Sequence, residues 1–294
     1  MNDRKQHVVD SARQLFIDKG FQATSIQDIL NYSGISKGTF YNYFSSKNEL
    51  LIALFKMINK KLDQNRNELL MGEDPADIDI FIKQVIMQLK MHRSNKLFFL
   101  YEEVLVSNDE ELKQFMRDGQ LRNVQWIYNR FIDLFAEAKK DYLLDCAIMF
   151  VGILLHNLKF QGMANKSNSR DYEKIVRYSM KRTATMIEDV SEKGEQLLHP
   201  EVLKEWIPHC QNSSKHFQHD LVHTILSLKK SLSHNEEKLK YMELLEFIQD
   251  ELLNSKKPRR FLVESALSSL QVKNNLFDLE KLQKLIQLAA SLFE

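Results

Sequence analysis

Gly34-Ile35-Ser36-Lys37-Gly38-Thr39-Phe40-Tyr41-Asn42-Tyr43-Phe44 is the stretch that decides the fold. Gly34 is a helix stop of the kind that supplies a left-handed backbone. Ser36 is placed to cap a new helix over residues 37–44. Phe40 and Phe44, four apart, fall on one face and must be buried. The outer face then carries Lys37, Gly38, Thr39, Tyr41, Asn42 and Tyr43, with no carboxylate among them. Just upstream, Thr24 and Ser25 each have a capping-box partner three residues on, Gln27 and Asp28. They open a short helix that buries Ile26, Ile29 and Leu30, and Ile35 plugs the gap between the two helices. Helix, four-residue turn with glycine, helix is a helix-turn-helix.

Outward from this pair, a first helix over residues 3–19 lines up Val8, Ala12, Leu15 and Phe16 and stops at Gly20. Ser45 or Ser46 caps a long fourth helix running from Lys47 towards Leu70. Residues 1–62 hold 9 Lys/Arg against 5 Asp/Glu, a net +4, whereas the whole chain of 294 residues is only +1. A basic head with an acid-free outer helix face suits phosphates and base edges.

The rest of the chain agrees with an all-α protein. It has 8 Gly and 4 Pro, where average usage gives roughly 20 and 15. Sandwiches, barrels and propellers need more turn residues than that. Two cysteines, Cys146 and Cys210, make no disulfide framework. The start has no apolar signal core, and the longest apolar run, residues 146–155, is about half a membrane span. A soluble, cytoplasmic protein without a membrane partner is expected. No phosphate loop, nucleophile elbow or metal motif points to an enzyme or a cofactor.

Residues 10–55 resemble the DNA-binding domain of the TetR (tetracycline-repressor-like) family. The residues that carry the resemblance are Ala12-Arg13-Gln14-Leu15-Phe16, Gly20-Phe21-Gln22-Ala23-Thr24-Ser25-Ile26, the stretch quoted above, and Ser46-Lys47-Asn48-Glu49-Leu50-Leu51. Leu30 departs from the family's usual Ala, a change of packing. The resemblance implies an all-helical homodimer whose body binds a small molecule and which binds double-stranded DNA. It implies base-edge contacts from Lys37, Thr39 and Asn42, close backbone approach at Gly38, and phosphate contacts from Thr24, Ser25, Tyr41, Tyr43 and Lys47, with Ser36 at the same helix start. The expected division is a DNA-binding head (1–47), a ligand-binding and dimerisation body (48–190) and an additional helical region (191–294), about which the resemblance is silent.

Body helices are expected over 77–91, 97–106, 109–138, 141–163 and 170–190. The last two are the expected dimer face. Met87, Met91, Phe98, Tyr101, Trp126, Met149 and Phe150 are candidates for an apolar ligand pocket, with Glu102, Gln125, Asn129 and His156 as its polar groups. Glu102 beside aromatics would suit a cationic lipophilic ligand. In the extension, helices are expected over 201–207, 214–233, 236–254, 258–270 and 278–293. His216, His219 and His223 share one helix face, a spacing that permits a metal but matches no defined motif. The expected function is a homodimeric repressor that binds a pseudo-palindromic operator and is released by a small lipophilic ligand. The alternatives are a metal-responsive regulator using those histidines, or one whose C-terminal helices dock a protein partner.

Overall fold

A computed structural model describes residues 3–106, 109–164, 171–207, 221, 222, 224, 225, 227–229, 232, 238–255, 258–271 and 277–293. The chain divides into two compact units, Met1–Val202 and Leu203–Glu294. No strand occurs among the described residues.

The first three helices are α1 (Asp3–Lys19), α2 (Ile26–Ser33) and α3 (Lys37–Tyr43). Their boundaries are set by local chemistry. Ser25 caps α2 in a full capping box with Asp28: the Asp28 amide donates to Ser25 Oγ at 3.1 Å, and the Ser25 amide donates to Asp28 Oδ2 at 2.8 Å. Gly34 closes α2 at φ +67. Ser36 caps α3, accepting from the Thr39 amide at 3.1 Å. Ser46 caps α4 (Lys47–Leu70), accepting from the Glu49 amide at 3.0 Å. Val8, Ala12, Phe16, Ile29, Phe40 and Phe44 are buried with Leu50, Leu51 and Leu54 of α4 in a shared core. That core is why α4 belongs to both the head and the body.

The body adds α5 (Ile78–Ser94), α6 (Leu97–Leu105), α7 (Glu110–Phe135), a 3-10 turn (Glu137–Lys139), α8 (Lys140–Ala164) and α9 (Tyr172–Lys193). Aromatic packing fills its centre: the Phe81, Phe131 and Phe150 rings lie 5.6–5.7 Å apart. The segment Glu137–Ala164 is long and apolar enough to cross a bilayer by length and composition. In the body it packs against α7 and α9, and Leu155, Phe160 and Met163 stay exposed. Residues just past α9 also belong to this unit. The Leu197 amide donates to Asp145 Oδ2 at 2.7 Å, and Gln196 Nε2 donates to the Asp141 carbonyl at 2.7 Å. The compact first unit thus runs past residue 190, where the body was expected to end.

Beyond it lies the short α10 (Val202–Trp206). The second unit contains α11 (Lys238–Asn254), α12 (Arg260–Gln271) and α13 (Leu279–Ser291). It has its own core, including Leu221, Leu228, Tyr241, Ile248, Leu270 and Leu285. Arg259 and Arg260 are drawn into this unit. Arg259 makes a two-pronged bond to Glu251, Nε at 3.0 Å and Nη2 at 2.7 Å, and Arg260 pairs with Glu264 at 2.7 Å. That fork holds the Glu251 carboxyl down at about 2, below its usual range.

Candidate nucleic-acid interface

The outer side of α3 carries the groups that the sequence placed there. Ser36, Lys37, Gly38, Tyr41 and Asn42 are exposed, as is Ser25 at the start of α2; Thr39 and Tyr43 are half-buried. Phe40 stands edge-on to Tyr41, with ring centroids 5.4 Å apart, so the buried ring braces the exposed phenol. Two expected contacts are turned inward. Thr24 is 1% exposed, and its hydroxyl donates to the Gly20 carbonyl at 2.6 Å. Lys47 Nζ donates to the carbonyls of Phe21 and Thr24, both at 2.8 Å, and lies 4.4 Å from the centre of the Phe21 ring. Its burial lowers the ammonium pKa, and Glu103 partly restores it. These two side chains shape the α1–α2 loop, and Lys47 keeps one N–H free of those two carbonyls.

The same loop is held from the body. Glu103 of α6 accepts from the Phe21 amide at 2.7 Å and faces the Gln22 amide at 3.5 Å. Gly20 leaves room for it: at φ +89, a Cβ there would lie 2.9 Å from Glu103 Oε1 and 3.3 Å from the Phe99 ring. Lys96, the left-handed residue at the start of α6 (φ 47), donates from Nζ to the Ile17 carbonyl at 2.6 Å. Head and body are therefore strapped by α6 as well as joined through α4. Sequence reading stressed Glu102, which is exposed. Glu103, one residue on and about 100° around the helix, is the carboxylate that reaches the loop.

The candidate pocket residues do not converge. Met87 and Met91 line one groove. Tyr101 stacks on Phe55 at 5.5 Å, and Phe98 is exposed against His92. Phe150 is fully buried in the aromatic core. Met149 and Gln125 are half-buried, and His156 is exposed. Asn129 is half-buried, its side-chain carbonyl enclosed without a donor among the described residues. Trp126 covers the guanidinium of Arg66 at 3.6 Å.

Arg66 anchors a polar network that sequence reading missed. It is 5% exposed, and it donates to Asp63 Oδ1 at 3.3 Å, to Asn123 Oδ1 at 3.0 Å and to Gln88 Oε1. Gln84 Nε2 donates to the Arg66 carbonyl at 2.8 Å and accepts from Arg130 Nε at 3.2 Å. Arg130, also buried, pairs with Asp133 at 2.6 Å. Burial lowers the Arg66 pKa to about 10, so it stays charged at neutral pH.

Burial, with Arg66 nearby, pushes the His92 imidazole down to about 4. The unfolded chain binds that proton near pH 6.5. Stability from neutral His92 is therefore complete above pH 6.5 and lost as pH falls towards 4, by up to about 3 kcal/mol. Urea unfolding of His92→Gln should lack that part of the acid slope. An unchanged slope would show that His92 does not carry it.

His216, His219 and His223 lie outside the described residues. Among the described residues, no group of three or more His, Cys, Asp or Glu could hold a metal ion.

The family model for bacterial regulatory proteins of the tetR family matches residues 8–54. The chain is 28% identical over 291 residues to the uncharacterized HTH-type transcriptional regulator YerO of Bacillus subtilis (strain 168), covering 97% of this chain and 96% of YerO. The region after residue 190 therefore has a counterpart in a relative. The transposon Tn10 TetC protein of Escherichia coli is 47% identical over 51 residues, 17% of this chain and 26% of TetC. In fold, the chain is similar to a crystal structure of a transcriptional regulator of the TetR/AcrR family, with a TM-score of 0.50 and 22% identity, over 64% of this chain and 100% of that one. With the helix-turn-helix head built on α1–α4 and a helical body behind it, the chain belongs to the TetR family and is a DNA-binding transcriptional regulator.

Proposed function

We propose that the protein is a cytoplasmic homodimeric repressor that binds a pseudo-palindromic operator and is released by a small-molecule effector. The observation that carries this reading is a set of uncovered apolar side chains on α8, joined on α9 by Tyr178 among charged neighbours. Phe160 is 60% and Met163 69% exposed on α8, beside Leu155, and Tyr178 is exposed on α9. An apolar patch of this kind marks an interaction surface, and on a helix pair it suits a second copy in a twofold arrangement. One α3 offers few base contacts, whereas two copies read half-sites about 34–36 Å apart.

On the operator, Lys37, Thr39 and Asn42 reach base edges, and Gly38 lets the backbone come close. Ser25, Ser36, Tyr41 and Tyr43 bond phosphates, which position the head without reading sequence. Thr24 and Lys47 hold the loop behind them. The effector acts by favouring a body conformation in which the heads no longer match the half-site spacing. The α4 core and the α6 straps at Glu103 and Lys96 carry that change to the head.

The test is sedimentation and operator binding of a Leu155→Glu, Phe160→Glu double variant. Wild type should sediment at twice 34.7 kDa and the variant at 34.7 kDa. Operator affinity should fall by about 100-fold or more, because the half-sites then bind independently. A monomeric wild type, or a variant that keeps its dimer and affinity, would refute the reading.

A further inference from the structure

A groove of about 730 Å³ opens between α1, α4 and α5, where head meets body. That volume lies within the range of small-molecule sites. Its apolar lining comes from Met57, Ile58, Met87 and Met91. Three of these are methionines, whose flexible side chains adapt to ligands of irregular shape. Its charge is all of one sign: Arg13 of α1, Lys60 and Lys61 of α4, and Lys90 of α5 line it, and no lining residue is acidic.

For Lys61 and Lys90 the usual compensation is missing. Exposed helical lysines are commonly paired with a carboxylate four residues on. Four residues on from Lys61 and Lys90 stand Asn65 and Ser94, both neutral and both part of the lining. Neither Lys61 nor Lys90 has an ion-pair partner among the described residues. Arg13 is loosely held, 3.8 Å from Asp10 and 3.5 Å from Asn95 Oδ1, and its buried Nε has no acceptor. A concave site with cations above an apolar floor concentrates anions. An acid group there gains charge-assisted bonds that the protein does not supply itself.

We propose that this groove binds an anionic amphiphile, with its acid group on Arg13, Lys61 and Lys90 and its apolar part on Met57, Met87 and Met91. The sign is opposite to that expected from Glu102. Position gives the site a consequence. Asn95 ends α5 beside Lys96, and Arg13 reaches Asn95 from the head. A ligand acid that takes Arg13 from Asn95 removes one contact between head and body. This consequence rests on the effector-release reading; the binding itself does not.

The test is calorimetric titration of the full chain with sodium decanoate below its micelle concentration and with anilinonaphthalene sulfonate, against decyltrimethylammonium as the cationic control. At least one anion should bind, and the cation about tenfold or more weaker, a difference of about 1.4 kcal/mol. A Lys61→Glu, Lys90→Glu double variant should lose about tenfold in anion affinity while binding operator as wild type does. Binding of neither anion, equal binding of the cation, or an anion affinity untouched by charge reversal would overturn the proposal. So would loss of operator affinity in the ligand-free variant, which would assign the lysines to DNA. Groove-dependent anion binding without operator release would keep the site and refute effector release.

Discussion

Arg66→Ala should be strongly destabilising, costing about 2–4 kcal/mol through the cavity it opens and the acceptors it leaves. The guanidinium is enclosed by Trp126, Gln88 and Asn123, with Asp63 its carboxylate partner. Alanine leaves a cavity under the indole and removes the donor to two amide oxygens. Arg66→Met should recover much of the loss. It fills the space, Gln88 and Asn123 still bond each other at 2.9 Å, and the Asp63 side chain, 66% exposed, returns to water. Urea unfolding followed by Trp126 fluorescence in a Trp206→Phe background measures both. A loss below about 0.5 kcal/mol for Arg66→Ala would place it among ordinary surface changes and refute the network's role.

The second large effect is on DNA. Asn42 is exposed on α3, and Asn pairs bidentately with adenine in the major groove. Asn42→Ala should cost about 1–3 kcal/mol per half-site and relax preference at one position in each. Tyr41, 46% exposed and braced by Phe40, should behave differently. Tyr41→Phe should weaken all sequences alike, by about 0.5–1.5 kcal/mol, because a phosphate bond carries no base information. Selection from a random DNA pool, followed by titration of both variants, separates the two outcomes. Unchanged binding by both would refute the assignment of α3 as the reading helix.

The contrast between neighbours shows how much could be read beforehand. Thr24 and Ser25 both had a capping-box partner in sequence; the structure uses Ser25 with Asp28 and buries Thr24 against Gly20. Glu102 and Glu103 are equally acidic, yet only Glu103 reaches the Phe21 amide. Trp126 was a reasonable pocket aromatic, but Arg66, sixty positions away, occupies its face. In each case the residue type was visible, and its partner depended on how two helices are rotated against each other.

The sequence by itself determined the helices of the first unit, the serine caps of α2–α4 and the acid-free face of α3; the helix expected over 214–233 falls largely outside the described residues. Those features depend on residues within about one helical turn, where spacing alone fixes which groups can meet. Tertiary structure decided the rest: the Glu103 strap, the buried arginines, and a groove whose cations come from α1, α4 and α5. Charges distant in the chain are paired or left unpaired only when the helices pack, and packing follows the fit of apolar faces, which leaves the polar partners to be settled last.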